Sequence, residues 1–163
     1  MVETISLWMH STDLGKLILT SLVSMLPVIE LRGGLPAGVL LGLPIPAAFC
    51  AALIGNMIPV PFIILLVRPM FRWTRTHIPK LGNFVSRLEA RAASKSRTVH
   101  KYQNLGLLIL VAIPLPGTGA WTGALVASIL DMNLKRAVPI VFCGVVIAGV
   151  IITALTYGVS VFF

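Results

Sequence analysis

A break in the middle of an apolar segment is the feature that most limits what this chain can fold into. Between Leu105 and Leu130, otherwise apolar, stands Ile113-Pro114-Leu115-Pro116-Gly117-Thr118-Gly119-Ala120-Trp121-Thr122-Gly123. Prolines remove backbone donors and glycines loosen a helix, so the peptide groups of Leu115 to Gly119 are expected to leave helical pairing inside a membrane segment. In lipid, such groups are tolerated only where protein covers them or where they line a polar cavity. The break is therefore a candidate binding site, and a second break, Glu30 to Pro36, reads as its partner.

The membrane setting follows from composition. Of 163 residues, 57% are hydrophobic and 11% charged, and the mean hydropathy is +0.97, too apolar for a soluble domain of this size. No basic leader or small-residue cleavage site surrounds the first apolar run, where Glu3 and Asp13 stand instead, so the N-terminus is expected to stay attached. The net charge of +8 raises the question of nucleic acid. Nine of the thirteen basic residues, however, lie between Arg68 and Lys101, beside apolar spans and without a recognised nucleic-acid-binding module, which fits a cytoplasmic loop facing anionic lipid. Cys50 and Cys143 sit in apolar runs as small hydrophobes. His10, His77 and His100 are scattered, so no metal or cofactor is expected.

In chain order, Leu14 to Leu26 is a helix-compatible run about 20 Å long, short of the ~30 Å hydrocarbon core. Ser11 or Thr12 with Asp13 would cap it. Pro46 to Val67, about 33 Å if helical, can cross the bilayer with a kink at Pro59-Val60-Pro61. Residues 68–104 form a basic linker in which Leu81, Phe84, Val85, Leu88 and Ala92 mark one face of an amphipathic interfacial helix. After Leu105 to Ile113 and the break comes Ala120 to Leu130, then the polar loop Asp131 to Arg136. Ala137 to Phe163 is long enough for a tilted span.

The halves resemble each other. Pro46 to Cys50 aligns with Pro139 to Cys143 at an offset of 93, and Gly34 and Gly38 align with Gly119 and Gly123 at an offset of 85. Each half reads as a broken segment followed by one long span. If each broken segment enters and leaves by the same face, the halves must point opposite ways, with the breaks meeting near the midplane. This arrangement places Lys135 and Arg136 on the linker side, whereas four ordinary spans would put them outside, against the positive-inside rule. The expected fold is thus an all-α integral membrane protein. It is an inverted repeat of re-entrant hairpin plus transmembrane helix, forming one membrane domain over 1–163 with repeats at about 14–67 and 105–163.

At Glu30-Leu31-Arg32-Gly33-Gly34-Leu35-Pro36 and Pro114 to Ala124 the chain resembles the prokaryotic family of small multidrug export proteins, over nearly its whole length. That family is similar, more distantly, to the DedA superfamily, in which facing re-entrant hairpins move lipid such as undecaprenyl phosphate. The resemblance implies a multi-pass inner-membrane transporter or lipid scramblase, with Glu30 and Arg32 matching positions where that superfamily carries embedded acids and arginines. The second hairpin departs from that pattern, having no acid or arginine between Leu105 and Leu130.

The candidate chemistry gathers at the two breaks. A carboxylate at membrane depth is costly unless paired or protonated, which suits Glu30 to proton coupling, with a structural contact that closes the hairpin as the alternative. Arg32 offers a planar fork for phosphate or carboxylate. Helices starting near Leu35 and Ala120, after Gly33, Gly34, Gly117 and Gly119, would aim free N–H groups at the same place. With Pro116, Thr118 and Trp121 these residues form the expected substrate site. Thr118 and Thr122 could instead satisfy broken backbone, and Asn56 reads as interhelical glue. The expected activity is movement of an amphiphilic substrate, anionic lipid or lipid phosphate first and a cationic drug second. A non-transporting structural subunit and a homodimer also fit the sequence, and nothing in it points to an enzyme.

Overall fold

The computed structural model describes residues 12–77, 96–115 and 117–158. Among these there are seven helices: α1 (Asp13–Ser24), α2 (Glu30–Leu40), α3 (Ile45–Met57), α4 (Pro59–His77), α5 (Ser96–Ala112), α6 (Ala120–Ile129) and α7 (Leu134–Tyr157). The expected amphipathic face from Leu81 to Ala92 lies outside the described residues. α4 and α5 reach into the stretch assigned to the linker, ending at His77 and beginning at Ser96.

α1 starts where the sequence signals it: the Thr12 hydroxyl oxygen accepts the Gly15 N–H at 3.1 Å, and Asp13 sits in the first turn. The chain then doubles back. Gly34 of α2 lies against Ser24 of α1, Gly38 against Thr20, and Gly42 beside Lys16, so the two helices run antiparallel at close range. The buried hydroxyls at this interface are satisfied within α1, Thr20 donating to the Lys16 carbonyl and Ser24 to the Thr20 carbonyl, both at 2.8 Å. With glycine on one side and self-satisfied hydroxyls on the other, the backbones can approach closely. α5 and α6 make the second antiparallel pair, with Gly123 against Val111 and Gln103 donating to the Leu130 carbonyl at 3.1 Å.

Two elements are long and apolar enough to cross a membrane: Ile45–Val67, which bends where Pro59 interrupts the passage from α3 to α4, and Leu134–Tyr157. The kinked first span agrees with the sequence expectation. α1 packs on α3 through the Ser21 hydroxyl, which donates to the Ala51 carbonyl at 2.9 Å, and through Gly55, which meets the Ser21 backbone. In the second half, Gly144 of α7 lies against Val111 and Leu108 of α5. Leu31, Leu35, Val60, Ile64, Leu107, Val111, Val141 and Val145 fill the centre. Ile54, Phe62, Leu66, Phe142, Val150 and Leu155 face outward, which leaves an apolar coat suited to lipid.

The halves share local devices at a spacing different from the one read in the sequence. α2 and α6 end in the same C-terminal motif: Leu43 N–H bonds to Gly38 O and Gly42 N–H to Val39 O, while Met132 N–H bonds to Ala127 O and Asp131 N–H to Ser128 O. Gly42 and Asp131 both have positive φ, +86° and +50°. These pairs lie 89 residues apart (131 − 42, 132 − 43), as do Gly34 and Gly123, the cap residues Pro44 and Asn133, and Gly55 and Gly144. The offsets of 93 and 85 are therefore corrected by four residues in opposite directions. Four residues is about one helical turn, and positions one turn apart share a face, so small-residue patterns align almost equally well in the wrong turn.

Candidate functional site

The starts of α2 and α6 meet. Glu30 opens α2 with φ +50°, and Gly119, its equivalent 89 residues on, precedes α6 with φ +138°. The expected helix start near Leu35 is corrected to Glu30. Gly33 and Gly34, read as breakers, sit inside the helix, where their lack of side chains lets it fit against Ile29 and Ser24. The expected start at Ala120 agrees with the structure.

Glu30 is 5% exposed and lies at the mouth of α6, where its Oε1 accepts the Trp121 N–H at 3.2 Å. Gly119, the residue before α6, has no side chain with which to cap it. The carboxylate from the other half takes that place, at the positive end of the helix dipole. A Cβ on Gly119 would collide with the Glu30 carboxylate, so glycine is required there both for its φ and for the contact.

Arg32 reaches the other way along the same interface. Its Nη1 donates to the Leu115 carbonyl and its Nη2 to the Thr118 carbonyl, with a further bond from Nη2 to Thr118 Oγ1 at 2.8 Å. Trp121, the equivalent of Arg32 in the second half, answers with its indole N–H, which donates to the Met25 carbonyl at 3.2 Å. Each tip thus supplies donors to the carbonyls of the other. Glu30 and Arg32 find partners on the opposite tip; the ion pair among the described residues is Lys16–Asp13 at 3.6 Å.

The broken backbone of the second tip is largely satisfied by protein. Thr118 Oγ1 lies 2.7 Å from the Ile113 carbonyl and accepts the Leu115 N–H at 3.2 Å. Thr122 donates to the Gly117 carbonyl at 2.9 Å. Both threonines therefore do the backbone work that was one of their two readings. Pro116 lies outside the described residues.

Between the tips opens a cavity of about 380 Å³ lined by Pro27, Val28, Glu30, Arg32, Pro114, Gly117, Thr118 and Thr122. It brings together Glu30, Arg32, Gly117 and Thr118 of the expected site. Gly119 and Trp121 stand beside it against the Glu30 carboxylate, and Gly33 and Gly34 are turned to packing. Pro27, Val28 and Pro114 were missed; proline next to each break was the available signal. Among the described residues no three of His, Cys, Asp and Glu gather to hold a metal ion.

Residues 30–151 match the model of a protein family described as "Putative small multi-drug export protein". No curated protein and no solved structure matches the chain.

Proposed function

The chain belongs to the small multidrug export family, and from that premise we propose that it moves amphiphilic compounds through the cavity between the two tips, exchanging them for protons carried by Glu30. It is a small multi-pass membrane transporter, not an enzyme. The observation that carries the finer reading is a cavity in which a buried carboxylate and a guanidinium face the same space at the junction of two short hairpins.

Length supports the topology. At 1.5 Å per residue α2 and α6 reach only about 17 and 15 Å, half of a ~30 Å hydrocarbon core, so each hairpin enters and leaves by one face. Tips that meet from two such hairpins must come from opposite faces, which makes the halves an inverted repeat around a midplane site. The basic linker and the Lys135-Arg136 loop then both lie in the cytoplasm, and the membrane is the inner one.

In this mechanism the bonds from Arg32, Trp121 and Glu30 across the tips form a latch that a substrate loosens by competing for the same groups. The family match favours a drug-like cation, which would pair with Glu30 once its proton leaves, and so reverses the order of the two substrates expected from the sequence. A lipid phosphate is the second reading, favoured by the Arg32 fork at the cavity wall, whose carbonyl partners an anion could displace. With two crossings per chain, a homodimer would complete the wall of the path.

Reconstitution in liposomes separates these readings. Under an imposed pH gradient, wild-type protein should move a fluorescent cation well above empty-liposome background, and Glu30→Gln should fall to background while inserting normally. Wild-type rates in Glu30→Gln remove the proton role, and movement of a fluorescent lipid phosphate alone moves the assignment to the second reading.

A further inference from the structure

We propose that one water molecule, held between the Asn56 amide and the Glu30 carboxyl group, is the route by which Glu30 exchanges its proton. The inference rests on Glu30 as the proton carrier and adds the path to it.

Beside the larger cavity, and sharing Glu30 and Arg32 with it, is a second, smaller space of about 10 Å³ bordered also by Asn56, Gly119, Val145 and Ala148. Space of that size accommodates one water when two or more polar groups face it. Asn56 is 2% exposed, and among the described residues its Oδ1 has no hydrogen-bond partner. A buried acceptor left in that state bears the full cost of its desolvation, so the position calls for a donor. Packing does not demand asparagine there, since the equivalent residue 89 positions on is Val145, itself buried. Both positions border the space beside the carboxylate, and the polar side chain stands at the first of them.

Water is the donor that serves both groups. It donates one O–H to Asn56 Oδ1 and the other to ionised Glu30; when Glu30 is protonated, its O–H donates to the water oxygen and the bond to Asn56 is kept. In the transfer step a proton arriving from the larger cavity, with which this space shares Glu30 and Arg32, adds to a lone pair of the water oxygen. The O–H bond toward Glu30 then breaks, leaving its proton on the carboxylate oxygen and neutral water in place. Besides Glu30 itself, Arg32 is the charged group among the described residues that border this space. α6 presents backbone N–H groups to Glu30, while α3 contributes Asn56, α5 Val111 and α7 Val145 and Ala148.

Infrared difference spectroscopy of the full chain in lipid nanodiscs, in ordinary and ¹⁸O water, tests this. Wild-type protein should show an isotope-sensitive O–H band that changes as a carboxylic-acid band, absent from Glu30→Gln, titrates. Asn56→Val should lose the water band and move the acid carbonyl band to higher wavenumber. Ala148→Val, which fills the space from α7 and leaves both polar groups intact, should lose the water band as well. A water band intact in either variant, or lacking in wild type, overturns the proposal. Pairing with the liposome assay keeps the two claims apart. Glu30→Gln transport at background with an unaltered water band in Asn56→Val rejects the water path alone. Full transport by Glu30→Gln rejects the carrier on which that path depends.

Discussion

Glu30 carries two duties that substitution can separate. It caps α6 with an oxygen, and it holds a titratable charge beside the cavity. Glu30→Gln keeps an oxygen for the Trp121 N–H, whereas Glu30→Ala removes it. In thermal unfolding Glu30→Ala should therefore be less stable than Glu30→Gln by about 1 kcal/mol, the usual worth of a helix cap, while both lose proton-driven transport. Gly119→Ala should cost more, about 1–3 kcal/mol for forcing a side chain into φ +138°, with displacement of the carboxylate added; the same unfolding measurement reads it. At this scale the sequence was partly legible. Glu30 and Arg32 stood out as charges without water, and Trp121 as an aromatic beside a break. That Glu30 caps the helix bearing Trp121 was not legible, because the two are 91 residues apart and no local pattern links them.

The ends of the elements were easier to read than their register. Thr12-Asp13 marked the start of α1, Pro59 the kink between α3 and α4, and Gly119 the start of α6, each through backbone chemistry confined to a few residues. Gly33-Gly34 misled, because paired glycines signal a break in isolation yet here serve close packing against α1. Two exposed glycines, one in the turn after α2 and one within α5, give opposite forecasts. Gly42 has φ +86°, so Gly42→Ala should lower stability by about 1 kcal/mol. Gly106 lies within α5 with no atom near a would-be Cβ, so Gly106→Ala should raise it by about 0.5–1 kcal/mol, both measured by thermal unfolding in detergent.

For the whole molecule, the two long spans follow from hydropathy alone, and the structure has helices long and apolar enough to cross a membrane at both places. The meeting of the tips needed three dimensions. The proposed orientation is open to labelling of single cysteines in a background lacking Cys50 and Cys143. Asn133→Cys should react with an impermeant thiol reagent from the cytoplasmic side, and Leu40→Cys, exposed near the end of α2, from the opposite side. Reaction of both from one side removes the inverted arrangement.

Among the described residues the charged groups at the junction, and the buried amide beside them, come from the first half. Glu30, Arg32 and Asn56 stand where the second half has Gly119, Trp121 and Val145. On the proposed repeat, one copy bears the ionisable equipment and the other the fitted lid. Doubling the first copy would crowd two acids and two guanidinium ions into a single chamber, and doubling the second would leave that chamber without charge. Neither homogeneous ancestor-like version should substitute for the natural pairing.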